Sequence, residues 1–248
     1  ERPNYFLRRG EAGPPLETFA RKPYAEVVGR EHRTIREGVG LIDMASFSKL
    51  EMTGPGALRY LQWLAAANVD RPEGAVVYTQ LLNAKGGIEA DLTIMRPRPD
   101  TFYIVTGSGF GVRDGEWIAR HMPGDGSVHL ADVSSAYGVL NLAGPRARAV
   151  LAAASEHDVS NAAFPYMTCR WIRIGYAPVL AARVTYLGEL GFELHIPTEY
   201  TVHVYETLKA AGAGAGIADV GYKAISSLRM EKRYLYWSAD ISPDYTPL

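Results

Sequence analysis

Apolar Ala25, Val28 and Ile35 recur at helical spacing with charges between them, which predicts an amphipathic helix over residues 24–38. Residues 41–53 then read as one strand-like stretch, ended by Gly54-Pro55. Leu58, Leu61 and Leu64 form a stripe on a helix expected from Gly56 onward. Proline fits the first helical turn, where its missing N–H leaves no hydrogen bond unmade. Residues 76–82 and 88–95 read as two strands around the turn 83–87. On the second, Ile88, Ala90, Leu92 and Ile94 share one face, with Glu89, Asp91 and Thr93 on the other. A strand over 101–105, the loop Gly107-Ser108-Gly109 and a helix over 112–121 follow. Later helices are expected over 201–210, with Val204, Tyr205 and Leu208 on one stripe, and over 221–232. The Gly/Ala run 211–216 follows a helix, whereas a phosphate-binding GxGxxG follows a strand, so it reads as a helix end and loop. Residues 1–23, rich in Gly, Pro and Arg, read as an irregular lead-in.

The pattern repeats. Phe47-Ser-Lys-Leu-Glu-Met-Thr-Gly-Pro is echoed by Tyr137-Gly-Val-Leu-Asn-Leu-Ala-Gly-Pro, and each leads into an Ala/Leu-rich helix. Each copy has an aspartate upstream, Asp43 or Asp132, and a hairpin downstream. The second hairpin is expected as strands over 182–186 and 192–196 around a Gly-containing turn. The period is too long for a solenoid and implies two related α+β lobes.

Composition narrows the function classes. The chain has 248 residues, 47% hydrophobic and 21% charged, enough for a substantial core. A formal net charge of −1 gives no reason to expect a nucleic-acid partner. The single cysteine, Cys169, excludes an internal disulfide and a CxxC motif, and reads as a half-buried strand residue. The six histidines show no HxxxH or HxH spacing, so no metal site is expected. No apolar run is long enough for a membrane-spanning helix. The opening Glu1-Arg2-Pro3-Asn4 does not read as a signal peptide, so the cytoplasm is the expected compartment. Without an initiator Met, the chain reads as processed or as part of a longer one.

Two acids stand out. Asp91 and Glu193 sit mid-strand, opposite apolar faces, at similar places in the two repeats. An exposed face would tolerate either; their matched positions suggest two carboxylates facing one central cavity. One would pair with a donor-rich heterocycle and the other would orient or deprotonate an amine. Arg229, on the last helix, is either a surface cation or a planar donor for an acidic or carbonyl-bearing ligand. Tyr78 and Tyr186 read as strand tyrosines beside the hairpin turns.

The motifs Asp43-Met-Ala-Ser, Thr53-Gly-Pro-Gly-Ala, Tyr78-Thr-Gln-Leu-Leu-Asn, Gly86-Gly-Ile-Glu-Ala-Asp-Leu, Tyr186-Leu-Gly-Glu-Leu-Gly-Phe-Glu-Leu and Ser227-Leu-Arg-Met-Glu-Lys occur in this order. Together they resemble the folate-binding aminomethyltransferase family, the T-protein of the glycine cleavage system and its relatives. The opening Glu-Arg-Pro-Asn-Tyr-Phe and the form Leu-Gly-Glu-Leu-Gly-Phe-Glu-Leu resemble most the C-terminal half of dimethylglycine and sarcosine dehydrogenases. The resemblance implies an α+β fold of two antiparallel-sheet lobes, with residues 1–50 and 132–248 forming a discontinuous first lobe around an inserted second lobe, 51–131. It implies that relatives continue into a third, barrel-like domain that this sequence lacks. It implies tetrahydrofolate in a central cavity, with Asp91 as the catalytic aspartate, Glu193 pairing with pterin N–H groups, Arg229 near the pterin, and Tyr78 and Tyr186 lining the cavity. The implied activity is capture of the carbon from an N-methylated glycine as 5,10-methylenetetrahydrofolate. Its partner would be a flavin dehydrogenase domain, which would hold the FAD. The alternatives are a T-protein acting on an aminomethyl-lipoyl carrier protein, and a folate-binding regulatory or assembly protein without transfer activity. One departure is Arg233, which stands where relatives commonly carry Gly after Glu-Lys.

Overall fold

The computed structural model describes residues 2–13 and 24–247; the rest of the expected lead-in lies outside the described residues. The first helix, α1 (Ala25–Glu37), buries Val27, Glu31 and Ile35, so its inward stripe is rotated from the expected one. The buried Glu31 carboxylate accepts backbone N–H bonds from Phe6 (2.5 Å) and Gly221 (3.0 Å), tying the N-terminal segment and a later helix to α1.

The expected single stretch over 41–53 is instead two strands, β1 (Gly40–Asp43) and β2 (Ser48–Thr53), in different sheets. The break is local chemistry: Asp43 Oδ1 accepts the Ala45 N–H at 2.8 Å, which turns the chain out of the first sheet. The second copy makes the reverse switch. After β6 (His129–Asp132), Asp132 accepts the Ser134 N–H at 2.8 Å, a 3-10 turn follows, and β7 (Tyr137–Ala143) enters the first sheet. Both repeat aspartates therefore mark crossovers between sheets. The expected lobe edge at 50/51 falls within β2, and that at 131/132 at the end of β6.

The repeat also ends alike in both copies. Gly54 (φ +115°) leads into α2 (Ala57–Leu64), and Gly144 (φ +119°) into α4 (Ala147–Ala154). A Cβ on Gly54 would lie 2.4 Å from the Ser127 carbonyl oxygen, and on Gly144 2.5 Å from that of Gly38. Only glycine fits either turn.

The five-stranded sheet contains β3 (Val76–Leu82), β4 (Ile88–Arg98) and β5 (Thr101–Thr106) in the order β3-β4-β5-β2-β6. Its core packs Leu50, Met52, Leu92 and Ile104 with α2 and α3 (Gly111–Arg120). The six-stranded sheet adds β8 (Thr168–Ile174), β9 (Ala177–Arg183), β10 (Gly191–Pro197) and the short β11 (Ala218–Asp219), in the order β11-β1-β7-β10-β9-β8. All of its pairings are antiparallel except β1 with β11. One apolar cluster joins it to α4 and α5 (Thr201–Ala211), and another to α1 and α6 (Tyr222–Glu231). This is the α+β, two-sheet architecture expected.

The sheets meet along β8. Val76 donates its N–H to Met167 O (3.0 Å) and Cys169 to Gly74 O (2.7 Å), over a shared cluster including Met95, Tyr103, Leu180 and Ala182. Cys169 is 3% exposed rather than half-buried, because it lies in this seam; burial pushes its thiol up to about 12. Tyr186 is not in a strand. The second hairpin is offset, with β9 ending at Arg183, and Thr185 Oγ1 curls the loop by accepting the Leu187 and Gly188 N–H groups. No helix among the described residues is long and apolar enough to cross a membrane.

Candidate functional site

A cavity of about 680 Å³ opens between the two sheets, within the ~300–1,000 Å³ typical of small-molecule sites. Strand alternation sets its walls. In β4, Ile88, Ala90, Leu92 and Ile94 enter the core, so Asp91 and Thr93 face the other way, into the cavity. The register places Gln80 opposite Asp91 and Tyr78 opposite Thr93, and both β3 residues line the same wall. In β10, Phe192, Leu194 and Ile196 are buried in the opposite core, which turns Glu193 toward the cavity. One carboxylate thus comes from each sheet.

Their environments differ. The Tyr78 hydroxyl donates to Asp91 Oδ2 at 3.0 Å. Burial nevertheless pushes the Asp91 carboxyl above its ordinary value, the tyrosine bond opposing only in part. Burial, with the Asp91 charge adding to it, also pushes the Tyr78 hydroxyl up, so it remains a donor. The Glu193 carboxylate, with its side chain 15% exposed, receives no hydrogen bond from any described residue; the His195 imidazole Nε2 lies 3.7 Å from its Oε2. Its cross-strand neighbour Asn141 is 2% exposed, with Oδ1 unpartnered.

Tyr186 lines the cavity from its loop, donating to Leu235 O at 2.8 Å and stacking on Tyr234 at 6.1 Å between ring centres. Arg229 is not on the wall. Its guanidinium donates to Tyr234 O (2.8 Å) and Asp240 Oδ2 (2.5 Å). It acts on the segment 233–247, which crosses from α6 to the other sheet and walls the cavity with Tyr234, Tyr236 and Trp237. Trp237 Nε1 reaches Ile88 O, and the Ile88 N–H reaches Tyr245 O, both at 3.0 Å, so the segment is fastened to the start of β4. Among the described residues, no group of three or more His, Cys, Asp and Glu side chains could hold a metal ion.

The structure thus gathers Asp91, Glu193, Tyr78 and Tyr186 around one cavity and sets Arg229 behind it. Sequence reasoning missed His195, Asn141 and Tyr103. His195 was within reach of the alternation argument, since it lies two residues from Glu193 on the same face; Asn141 and Tyr103 depend on pairings that no local pattern encodes.

The GCVT N-terminal domain model matches residues 1–248. The chain belongs to this family. It is 37% identical to the mitochondrial pyruvate dehydrogenase phosphatase regulatory subunit of Mus musculus, over 100% of the chain and 29% of that protein. It is also 37% identical to the mitochondrial sarcosine dehydrogenase of Homo sapiens, over 93% of the chain and 27% of that protein. The chain therefore spans less than a third of these relatives. Among solved structures, the glycine cleavage system aminomethyltransferase T of Bartonella henselae superposes with a TM-score of 0.80 at 27% identity, covering 95% of this chain and 63% of that one. This GCVT-family chain shares the two-sheet fold of that aminomethyltransferase.

Proposed function

We propose that this GCVT domain carries out tetrahydrofolate-dependent one-carbon transfer, taking up the carbon of an N-methylated glycine as 5,10-methylenetetrahydrofolate. The observation that carries this reading is the convergence of Asp91 and Glu193, one from each sheet, on one aromatic-lined cavity. The residues suit a pterin. Glu193 is free of hydrogen-bond donors on the cavity wall, and an ionised carboxylate accepts two adjacent N–H groups at once. Tyr186, Tyr234 and Tyr236 offer apolar faces for a flat ring. When bound, tetrahydrofolate supplies the nucleophilic amine that accepts the carbon.

Asp91 would orient that amine and stabilise positive charge developing on it. The Tyr78 hydroxyl holds one Asp91 oxygen, leaving the other for the ligand. In this reading Arg229 acts at one remove, by holding the cavity-wall segment through Asp240. The sarcosine dehydrogenase relative supports a flavin dehydrogenase domain as the source of the carbon. The similarity to a regulatory subunit supports a second reading, folate binding without transfer.

Calorimetry with tetrahydrofolate on the wild-type chain and Glu193→Gln tests binding. The amide sets a donor against a donor, and loss of a charge-assisted bond weakens binding by about tenfold or more. Equal affinities would overturn the assignment of Glu193. Turnover with an N-methylglycine donor and a flavin dehydrogenase then separates the two readings: folate binding with no transfer leaves only the regulatory one.

A further inference from the structure

His195 is fully buried on β10, two residues beyond Glu193 and on the same face. Its Nδ1 lies 3.3 Å from the Tyr103 hydroxyl, and the two rings meet nearly perpendicular, 5.1 Å between centres. Its Nε2 has no hydrogen-bond partner and lies 3.7 Å from Glu193 Oε2. A buried ring nitrogen without a partner is costly, and here it borders the one cavity carboxylate that also lacks a donor.

The carboxylate beside Nε2 favours one arrangement of the three groups. A neutral Tyr103 hydroxyl can donate to Nδ1 or accept from it, so the choice between the two tautomers falls to what Nε2 faces. A neutral imidazole that accepts at Nδ1 carries its proton on Nε2. The alternative tautomer would turn an Nε2 lone pair toward a carboxylate. Rotation of the Glu193 side chain toward Nε2 would close the 3.7 Å separation to a hydrogen bond.

We propose that His195 is a positioning residue for Glu193: its Nε2–H, with Tyr103 donating to Nδ1, anchors Oε2 and aims the carboxylate into the cavity. Each carboxylate oxygen has two lone pairs, so Oε2 accepts from His195 and from a ligand N–H together. This inference rests on the folate reading for its ligand, but not for its geometry.

The test has two arms. In the first, nitrogen-15 NMR of the ligand-free chain is expected to show His195 protonated on Nε2 and bare on Nδ1, with the Nε2–H resonance moving in Glu193→Gln. A proton on Nδ1 overturns the proposal whether or not folate binds. In the second, tetrahydrofolate affinity is measured in a double-mutant cycle. His195→Phe is expected to weaken binding about tenfold in the wild-type background and less than about twofold in Glu193→Gln. His195→Gln, whose amide N–H reaches a similar point, restores most of the loss. An equal loss in both backgrounds marks a merely structural role and overturns the proposal. Absence of wild-type binding removes the folate reading, and the NMR arm still decides the role of His195.

Discussion

Asp91 shows how a single residue reports on the site. Its carboxyl is raised by burial, so the folded state holds the proton to a higher pH than the unfolded chain. Between the ordinary value of 3.8 and the raised one, unfolding releases a proton, and stability falls as pH rises through that window. Below the window both states are protonated and the burial cost is absent; above it the cost is complete. Asp91→Asn keeps an oxygen for the Tyr78 hydroxyl without the charge. It should therefore be more stable than wild type at neutral pH, with the gap closing in acid, while the proposed one-carbon transfer drops. Urea melts at several pH values read the first effect; a gap that persists in acid would place its cause elsewhere. Asp91 and Glu193 were legible in the sequence because each interrupts an alternating apolar pattern. Arg229 was legible as a cation on the last helix, but its engagement with Asp240 was not, since those residues pair through a loop with no periodicity.

At the scale of elements, most helices and strands followed from spacing, and the exceptions have local causes. Asp43 captured the Ala45 N–H and cut one expected strand into two. Thr185 did the same to the loop that holds Tyr186. The end of α6 carries a further cost. Arg233 sits at φ +58°, in the left-handed region, while the Tyr234 N–H reaches back to Arg229 O at 3.0 Å. A side chain in that conformation is strained by ~1–2 kcal/mol, and glycine relieves it at the expense of a more flexible unfolded chain. Arg233→Gly should raise stability by about 0.5–1 kcal/mol, which for a chain of this size moves Tm by roughly 1–4 °C. A lower Tm in calorimetry would mean that the arginine side chain contributes packing along the cavity wall worth more than the strain.

The whole molecule depends on the two crossovers that pass the chain from one sheet to the other and back. Lys49 spans them: its side chain is buried, and its ammonium donates to Ala45 O, in the first crossover, and to Tyr137 O, where the second enters β7, both at 2.8 Å. The aspartates that make the turns, Asp43 and Asp132, support its charge without cancelling the burial, which leaves the ammonium below its ordinary value of 10.5. Lys49→Met keeps much of the volume and removes the donor from both carbonyls. Loss of the bonds and relief of the buried charge oppose each other; two carbonyls left without their donor make the net effect a destabilisation of about 1–3 kcal/mol at neutral pH. Alkali separates the two contributions. Because the folded-state value lies below the unfolded one, the unfolded chain binds more protons between them, and wild-type stability rises with pH across that window. Neutral lysine still donates to both carbonyls, so the bonds persist while the cost of the charge disappears. The advantage of wild type over Lys49→Met should therefore widen as pH approaches 10.5, measured by denaturant melts of both proteins. A constant difference would show that the ammonium carries no burial cost in the folded protein, leaving the two carbonyl bonds as the whole contribution of Lys49.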